Sequence, residues 1–267
     1  MSLRKRVISN SSTSNKPPTK RKKIEQASLS TENPKIQSSK SKALCITKAK
    51  KTKNNKIAAD CELKTPNKHP KVPKQQEIKR DKHGKIIFAD YPDFKPNLTP
   101  KEVLQAGSFG GTYFRPIKSS ITGEKYAAVW KEFPSDWFDG LSIPRQVVSS
   151  VYHTDVNTYK VKCGGSLEMW ESSGWIVKQD PYGWFQWYCR FFLGRRSDDD
   201  SRQVGRWLRC AGDKGRWRNN LITKVVRSGC GYDNAGVSPV VRQTLQHWAY
   251  RLTKEDYDKY AKKVKPK

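Results

Sequence analysis

The sequence predicts a mainly α fold with a small β element (α+β), preceded by a disordered basic N-terminal arm. All 29 aromatic residues lie between Phe88 and Tyr260, so only this part can build a large core. The first 80 residues carry 22 Lys and Arg against 5 Asp and Glu. Such a segment buries too little to offset the entropy of ordering its backbone. We therefore expect a disordered tail over 1–83, one folded domain over 84–254 and a basic helix or tail over 255–267.

The sequence of the first half of the folded domain predicts short helices and a hairpin. Thr99 and Pro100 are typical of a helix start, and Gly107 ends that helix. Residues 112–117 and 125–130 have the composition of two strands joined by a turn. A further capped helix is predicted over 166–174.

The second half predicts a series of helices. Asp180 is predicted to cap, and Pro181 to begin, an aromatic helix that ends before Gly194. Its aromatic residues surround the helix axis, so we expect it to be buried rather than to present a stacking platform for unpaired bases. Further helices are predicted over 197–212, 216–227 and 240–252, and from residue 253 toward the C-terminus.

Two basic clusters in the arm match a two-part nuclear import signal. The clusters are Arg4, Lys5 and Arg6, then Lys20, Arg21, Lys22 and Lys23. An extended strip of cations fits the acidic groove of an import receptor, which is therefore an expected partner. The absence of acids before Glu25 also fits a mitochondrial transit peptide, but the lysine clusters and prolines oppose an amphipathic helix. We expect a nuclear location, with the mitochondrion as the alternative.

The overall charge favours a polyanionic partner. The chain carries a net charge of +28 over 267 residues, and both the arm and the folded part are basic. Nucleic acid is the first expectation for such a balance. No run approaches the roughly 20 apolar residues of a membrane span, so we expect no membrane partner. The six cysteines form no C-x-x-C pair, and we expect no metal site and no cofactor.

Arginines concentrate in the helices predicted after residue 190, and the planar guanidinium group is suited to phosphate. If Arg202, Arg206 and Arg209 share a helix face, they form a ladder for a nucleic-acid backbone. The alternative is that several of these arginines pair with residues 198–200 or stack on tryptophan. The candidate nucleic-acid-binding residues are Arg195, Arg196, Arg202, Arg206, Arg209, Arg216 and Arg218.

A glycine-rich segment offers a second kind of candidate site, a loop whose backbone N–H groups hold an anion. Its residues are Gly107, Ser108, Gly110, Gly111 and Arg115. The segment matches neither the P-loop nor the dinucleotide-binding pattern, and a tight turn under bulky neighbours is the alternative. An enzyme would use this loop with His153 or Asp155 taking protons, which requires these residues to converge in one cleft.

One part of the sequence resembles other proteins. The stretch from Asp180 to Arg190 reads DPYGWFQWYCR, and it is accompanied by Gly194-Arg-Arg196, Gly205-Arg-Trp207 and Ser238-Pro239. It resembles a set of uncharacterised eukaryotic proteins, found in fungi among others, over about residues 88–252. The resemblance implies a common fold and assigns no catalytic residue.

Three functions are compatible with these observations. We favour a non-enzymatic nuclear protein that contacts the phosphate backbone of nucleic acid through the basic arm and the arginine-rich helices. The first alternative is an enzyme acting on a nucleic acid or nucleotide through the glycine-rich loop. The second is an adaptor whose aromatic domain binds protein while its tail supplies localisation, and an exposed aromatic patch far from the arginines would favour it.

Overall fold

The computed structural model describes residues 78–265, so residues 1–77 of the tail that is predicted to be disordered over 1–83 lie outside the described residues. Within this range the regular structure is mainly helical, with one two-stranded antiparallel sheet, which confirms the predicted fold class. The helices are α1 (Pro100–Gln105), α2 (Leu167–Ser172), α3 (Trp184–Phe192), α4 (Asp200–Ala211), α5 (Arg216–Ser228), α6 (Pro239–His247) and α7 (Lys254–Ala261). The strands are β1 (Ile117–Lys118) and β2 (Lys125–Tyr126).

Several helices begin and end where the local sequence predicts. The Thr99 hydroxyl accepts a hydrogen bond from the Glu102 N–H, and the Glu102 carboxylate accepts one from the Thr99 N–H at 2.7 Å. This reciprocal pair satisfies two N–H groups that the first turn of α1 leaves without partners. Ser166 and Thr253 cap α2 and α7 through their hydroxyl groups. Gly229, with a φ of 68°, ends α5.

The start of the aromatic helix differs from the prediction. α3 begins at Trp184, after Gly183, and Asp180 does not cap it. Instead the Asp180 carboxylate is fully buried and accepts hydrogen bonds from the guanidinium groups of Arg190 and Arg195. Two guanidinium groups stabilise a buried carboxylate more strongly than one backbone N–H does, so the ion pairs replace the cap.

Two further elements are shorter than predicted. α6 ends at His247, because Ala249 adopts a φ of 53° that no right-handed helix continues. Each strand of the hairpin contains two residues. Residues 112–116 do not extend β1, because their backbone forms turns and the Phe114 N–H donates to the carbonyl of Val147.

α3 lies in the core, as its aromatic pattern predicts. Seven of its nine residues are buried, and Trp187 and Tyr188 are completely so. The Trp187 indole N–H donates to the Asp200 carboxylate at 2.8 Å, and the Tyr188 hydroxyl donates to the carbonyl of Leu98 at 2.7 Å. These rings are inaccessible to a nucleobase, so α3 is a core helix.

A buried carboxylate connects α5 and α7 to the beginning of the domain. Asp256 on α7 is fully buried and accepts hydrogen bonds from the Lys85 ammonium at 2.9 Å and the Tyr250 hydroxyl at 2.8 Å. The Arg218 guanidinium on α5 lies 3.4 Å from the same carboxylate. The C-terminal helix is therefore anchored against α5, whose opposite face is left to solvent.

Gly111 lies where backbone segments approach closely. Its φ is +76°, and a Cβ there would lie 2.0 Å from the carbonyl oxygen of Arg145. We expect Gly111→Ala to lower the free energy of unfolding by about 3 kcal/mol, because backbone atoms must move. Gly123 has the same φ, but the position that an added Cβ would take is surrounded by open space. Gly123→Ala should therefore lower the free energy of unfolding by only about 1 kcal/mol. Urea unfolding measures both, and equal costs would contradict the packing argument.

Candidate nucleic-acid interface

Four of the seven candidate arginines are paired with carboxylates. The pairs are Arg195 with Asp180, Arg196 with Asp90, Arg202 with Asp199, and Arg218 with Asp213 and Asp256. The Arg218 side chain is also almost fully buried, at 5% exposure. Neighbouring carboxylates cancel most of the field that a phosphate would feel, so these four arginines act mainly within the fold.

The predicted arginine ladder does lie on one face of α4. The spacings of 4 and 3 place Arg202, Arg206 and Arg209 on one side of this helix, where Arg209 is exposed and the other two are half-buried. Arg202 is paired, whereas Arg206 and Arg209 form no ion pair within residues 78–265. Burial, together with the charges of Arg202 and Arg209, lowers the pKa of Arg206 to about 10. Burial is the largest cause of this shift, the charges of the two neighbouring arginines act in the same direction, and the charge of Asp199 acts against them.

The guanidinium group of Arg206 lies close to two tryptophan rings. Its central carbon is 5.6 Å from the ring centre of Trp175 and 5.4 Å from that of Trp248. Its Nη1 donates to the Trp175 carbonyl at 3.3 Å and to the Gln203 side chain at 2.9 Å. Its Nε and Nη2 have no hydrogen-bond partner in the described part of the chain. Trp175 itself is 44% exposed, so an open indole adjoins a cation with free donors.

The outward face of α5 carries further cations. Arg216, Asn220, Lys224 and Arg227 are exposed and recur at spacings of 4, 4 and 3, which places them on one side of the helix. α5 contains no Asp or Glu, and the three cations form no ion pair among the described residues. Lys224 and Arg227 are not among the residues predicted from the sequence, because the clustering of arginines does not indicate them. Their helical spacing, combined with the absence of acids in α5, does indicate them.

The two sets of cations approach each other at the end of α4. Burial raises the pKa of the Cys210 thiol to about 12, and the charges of Arg206 and Arg216 both oppose that rise. The backbone shows the same proximity, because a Cβ at Gly215, the residue before Arg216, would lie 2.6 Å from the carbonyl oxygen of Cys210. We call the combined set the α4–α5 surface, and its members are Arg206, Arg209, Arg216, Lys224 and Arg227.

The glycine-rich loop uses its N–H groups inside the protein. The Phe109 N–H donates to His247 Nε2 at 2.9 Å, and the Gly110 N–H donates to the Asn157 side chain at 2.8 Å. The next two N–H groups, of Gly111 and of the residue after it, donate within the loop. These donors are therefore not free to bind an anion.

The remaining members of the loop also form hydrogen bonds within the protein. The Ser108 hydroxyl donates to the carbonyl of Val103 at 2.7 Å, and Arg115 Nη1 donates to the carbonyl of Thr112 at 3.1 Å. The carbonyl of Gly107 accepts hydrogen bonds from two glutamine side chains of α6. The loop thus connects α6 to the first half of the domain.

His153 and Asp155 lie near this loop but have other partners. The backbone N–H of His153 donates to the carbonyl of Gly110, and the ring Nε2 of His153 lies 3.1 Å from the Ser149 hydroxyl. Asp155 pairs with Arg145, and this hydrogen bond lowers the pKa of the Asp155 carboxyl group. A carboxylate with a lowered pKa is a weaker proton acceptor, which opposes its use as a general base.

Cys163 contacts a histidine that is 84 residues away in sequence, a pairing that no local motif indicates. Its Sγ lies 3.4 Å from His247 Nδ1. His247 Nε2 accepts the Phe109 N–H, so the proton of the neutral ring is on Nδ1 and faces the sulfur. Burial raises the pKa of the Cys163 thiol to about 11 and lowers that of His247 to about 3. Both groups are neutral, and the histidine cannot activate the thiol as a nucleophile.

Other candidate features lie elsewhere or are not found in the described part of the chain. Between residues 78 and 265, no group of three or more His, Cys, Asp or Glu side chains is arranged to hold a metal ion. No described helix combines the length and apolar character needed to cross a bilayer. The import-signal residues 4–6 and 20–23 lie outside the described residues, so that signal and the nuclear location stay predictions.

Comparisons of this chain with protein-family models, with curated proteins and with solved structures give no match. The resemblance over residues 88–252 therefore stays a prediction.

Proposed function

We propose that this chain is a non-enzymatic nucleic-acid-binding protein whose folded domain contacts the phosphate backbone through the α4–α5 surface. The observation that carries the proposal is the outward face of α5, where Arg216, Lys224 and Arg227 have no carboxylate partner among the described residues. Free cations in a row contribute binding energy by releasing the counterions that surround a nucleic acid.

The dimensions of this face suit a duplex. Arg216 and Arg227 are separated by three helical turns, which corresponds to about 16 Å along the axis. That length exceeds the roughly 12 Å width of a DNA major groove, so the two ends of the row can contact phosphates on opposite sides of the groove. The opposite face of α5 is fixed in the core by Leu221, Ile222 and Val225, so the cations are held on a rigid element.

The position of the exposed tryptophans favours nucleic acid over a protein partner. Trp175 and Trp217 are the exposed tryptophans of the described chain, at 44% and 37%. Trp175 contacts the guanidinium group of Arg206, and Trp217 lies 5.8 Å from that of Arg216. An adaptor surface would place its aromatic patch away from these arginines. The basic arm supplies additional charge for the same partner.

Binding of the full-length chain to a labelled duplex, measured by fluorescence anisotropy between about 50 and 200 mM salt, tests the proposal. We expect the triple variant Arg216→Ala/Lys224→Ala/Arg227→Ala to bind roughly 100-fold more weakly at the lower salt concentration, since each lost phosphate contact removes about 1 kcal/mol. The slope of log K against log salt should also decrease by about 2 to 3, because about one counterion is released per contact.

A variant with the same change of charge elsewhere provides the control. Lys118, Lys125 and Lys131 are exposed and belong to the segment from β1 to the turn after β2. Their triple replacement by Ala should leave the affinity within about threefold of the unmodified chain, since only long-range charge is lost. Equal losses in both triple variants, or no binding by the unmodified chain, would overturn the assignment of the α4–α5 surface.

A further inference from the structure

We propose that Trp175, Arg206 and Arg209 form a site for one unpaired nucleotide, with its base stacked on the Trp175 indole and its phosphate bound by the two guanidinium groups. The inference rests on the proposed function and specifies the form of nucleic acid that the domain prefers. It predicts that a duplex with a single-stranded extension binds more tightly than a blunt duplex.

Trp175 has the geometry of a preformed stacking surface. The backbone N–H of Trp175 donates to the carbonyl of Trp170 at 3.0 Å, and the backbone carbonyl of Trp175 accepts a hydrogen bond from Arg206. The following residue, Ile176, is buried and anchors the segment. The backbone on both sides of the indole is thus fixed while the ring stays 44% exposed. A ring held in this way loses little entropy when a base stacks on it.

Arg206 and Arg209 provide the complementary phosphate contact. Two donors of Arg206 are free, and its Nη1 is oriented by Gln203. Arg209 lies one turn further along α4 and is exposed. A phosphate bound here would favour the charged form of the Arg206 guanidinium group, because an anion opposes the effect that burial and the neighbouring arginines have on its pKa. An indole and free guanidinium donors in contact suit a nucleotide, which carries a π-face and an anion on one small scaffold.

The base must be unpaired to use this site. In a duplex each base is stacked on both sides, so the face that Trp175 would contact is unavailable without unstacking. A base in a single-stranded extension has a free face, and stacking of one such base on an aromatic ring contributes about 1–3 kcal/mol. The duplex part would lie on α5 while the extension reaches Trp175.

Three labelled probes test the inference with the full-length chain: a blunt duplex, the same duplex with a six-nucleotide extension, and one whose extension is abasic. We expect Trp175→Ala to weaken binding of the extended probe about tenfold or more, within the measured range of base stacking. Its binding to the blunt and abasic probes should stay within about twofold of the unmodified chain. The slope against log salt should not change, since no phosphate contact is removed.

Matched variants separate stacking from other effects. Trp175→Phe retains an aromatic face and should recover most of the lost affinity, whereas Met169→Ala removes another exposed apolar side chain, from α2, and should change little. If the abasic and normal extensions bind equally to the unmodified chain, or if Trp175→Ala weakens all probes alike, the stacking site is refuted while backbone binding stands. If the unmodified chain binds no probe, the proposed function itself is refuted.

Discussion

Asp180→Ala is expected to reduce the free energy of unfolding by about 3–5 kcal/mol, the usual effect of breaking a buried ion pair. The carboxylate is fully buried and accepts from Arg190 Nη1 at 2.9 Å and from Arg195 Nη1 and Nη2 at 2.8 and 2.6 Å. Removing it leaves the largely buried Arg195 without a carboxylate partner, while Arg190 keeps only Glu132. Arg195 lies at the C-terminal end of the aromatic helix, so the destabilisation caused by removing its carboxylate partner should extend into the core.

Urea unfolding of the full-length chain at neutral pH measures this effect. Asp198→Ala is the matched control, because Asp198 is an exposed carboxylate close in sequence that forms no ion pair within residues 78–265. We expect its replacement to change stability by less than about 0.5 kcal/mol. A similarly small effect for Asp180→Ala would show that the guanidinium groups find other partners or water, and would contradict the structural role given to this carboxylate.

Acid is expected to destabilise the fold through His247 well before the carboxylates titrate. Burial lowers the pKa of His247 from the ordinary 6.5 to about 3. Between these values the unfolded chain binds a proton that the native chain does not, so stability decreases as the pH falls below about 6.5. The loss should reach about 2–3 kcal/mol by pH 4.5. Protonation at Nε2 would also oppose the Phe109 N–H that donates to this atom.

The variant His247→Gln isolates the contribution of the histidine. A glutamine side chain does not titrate, so the variant is expected to be less stable at pH 7 and to lose the dependence between pH 6.5 and 4.5. Carboxyl groups whose pKa hydrogen bonding lowers, such as Asp90 and Asp155, act only below about pH 4 in both proteins. Identical pH profiles for the two proteins would contradict this prediction, because they would show that native and unfolded His247 bind a proton over the same pH range.

Local sequence patterns predict a large part of the fold because their physical causes are local. Thr99 and Thr253 begin helices, Gly229 ends one, and the apolar surface around α3 predicts its burial. Asp180 shows the limit of this reasoning. Asp followed by Pro is a strong helix-start pattern, yet tertiary contacts with two arginines take precedence over the cap.

The candidate site is predicted less completely, because charge pairing depends on distant residues. Arg202 and Asp199 are three residues apart, and their pairing is among the alternatives that the sequence leaves open. Arg196, by contrast, pairs with Asp90, which is 106 residues away. These ion pairs remove most of the arginines between residues 195 and 218 from the candidate surface, so that α5 carries the main basic face.

By itself, the sequence determined the helical class of the described part, most of its helix ends and the burial of the aromatic helix. These properties follow from composition, from capping residues and from apolar periodicity, all of which act over a few residues. Only the tertiary structure decided which cations are free, because each guanidinium group competes for carboxylates brought close by folding. It also decided that Trp175 stays exposed beside Arg206, since the exposure of a side chain depends on everything packed around it.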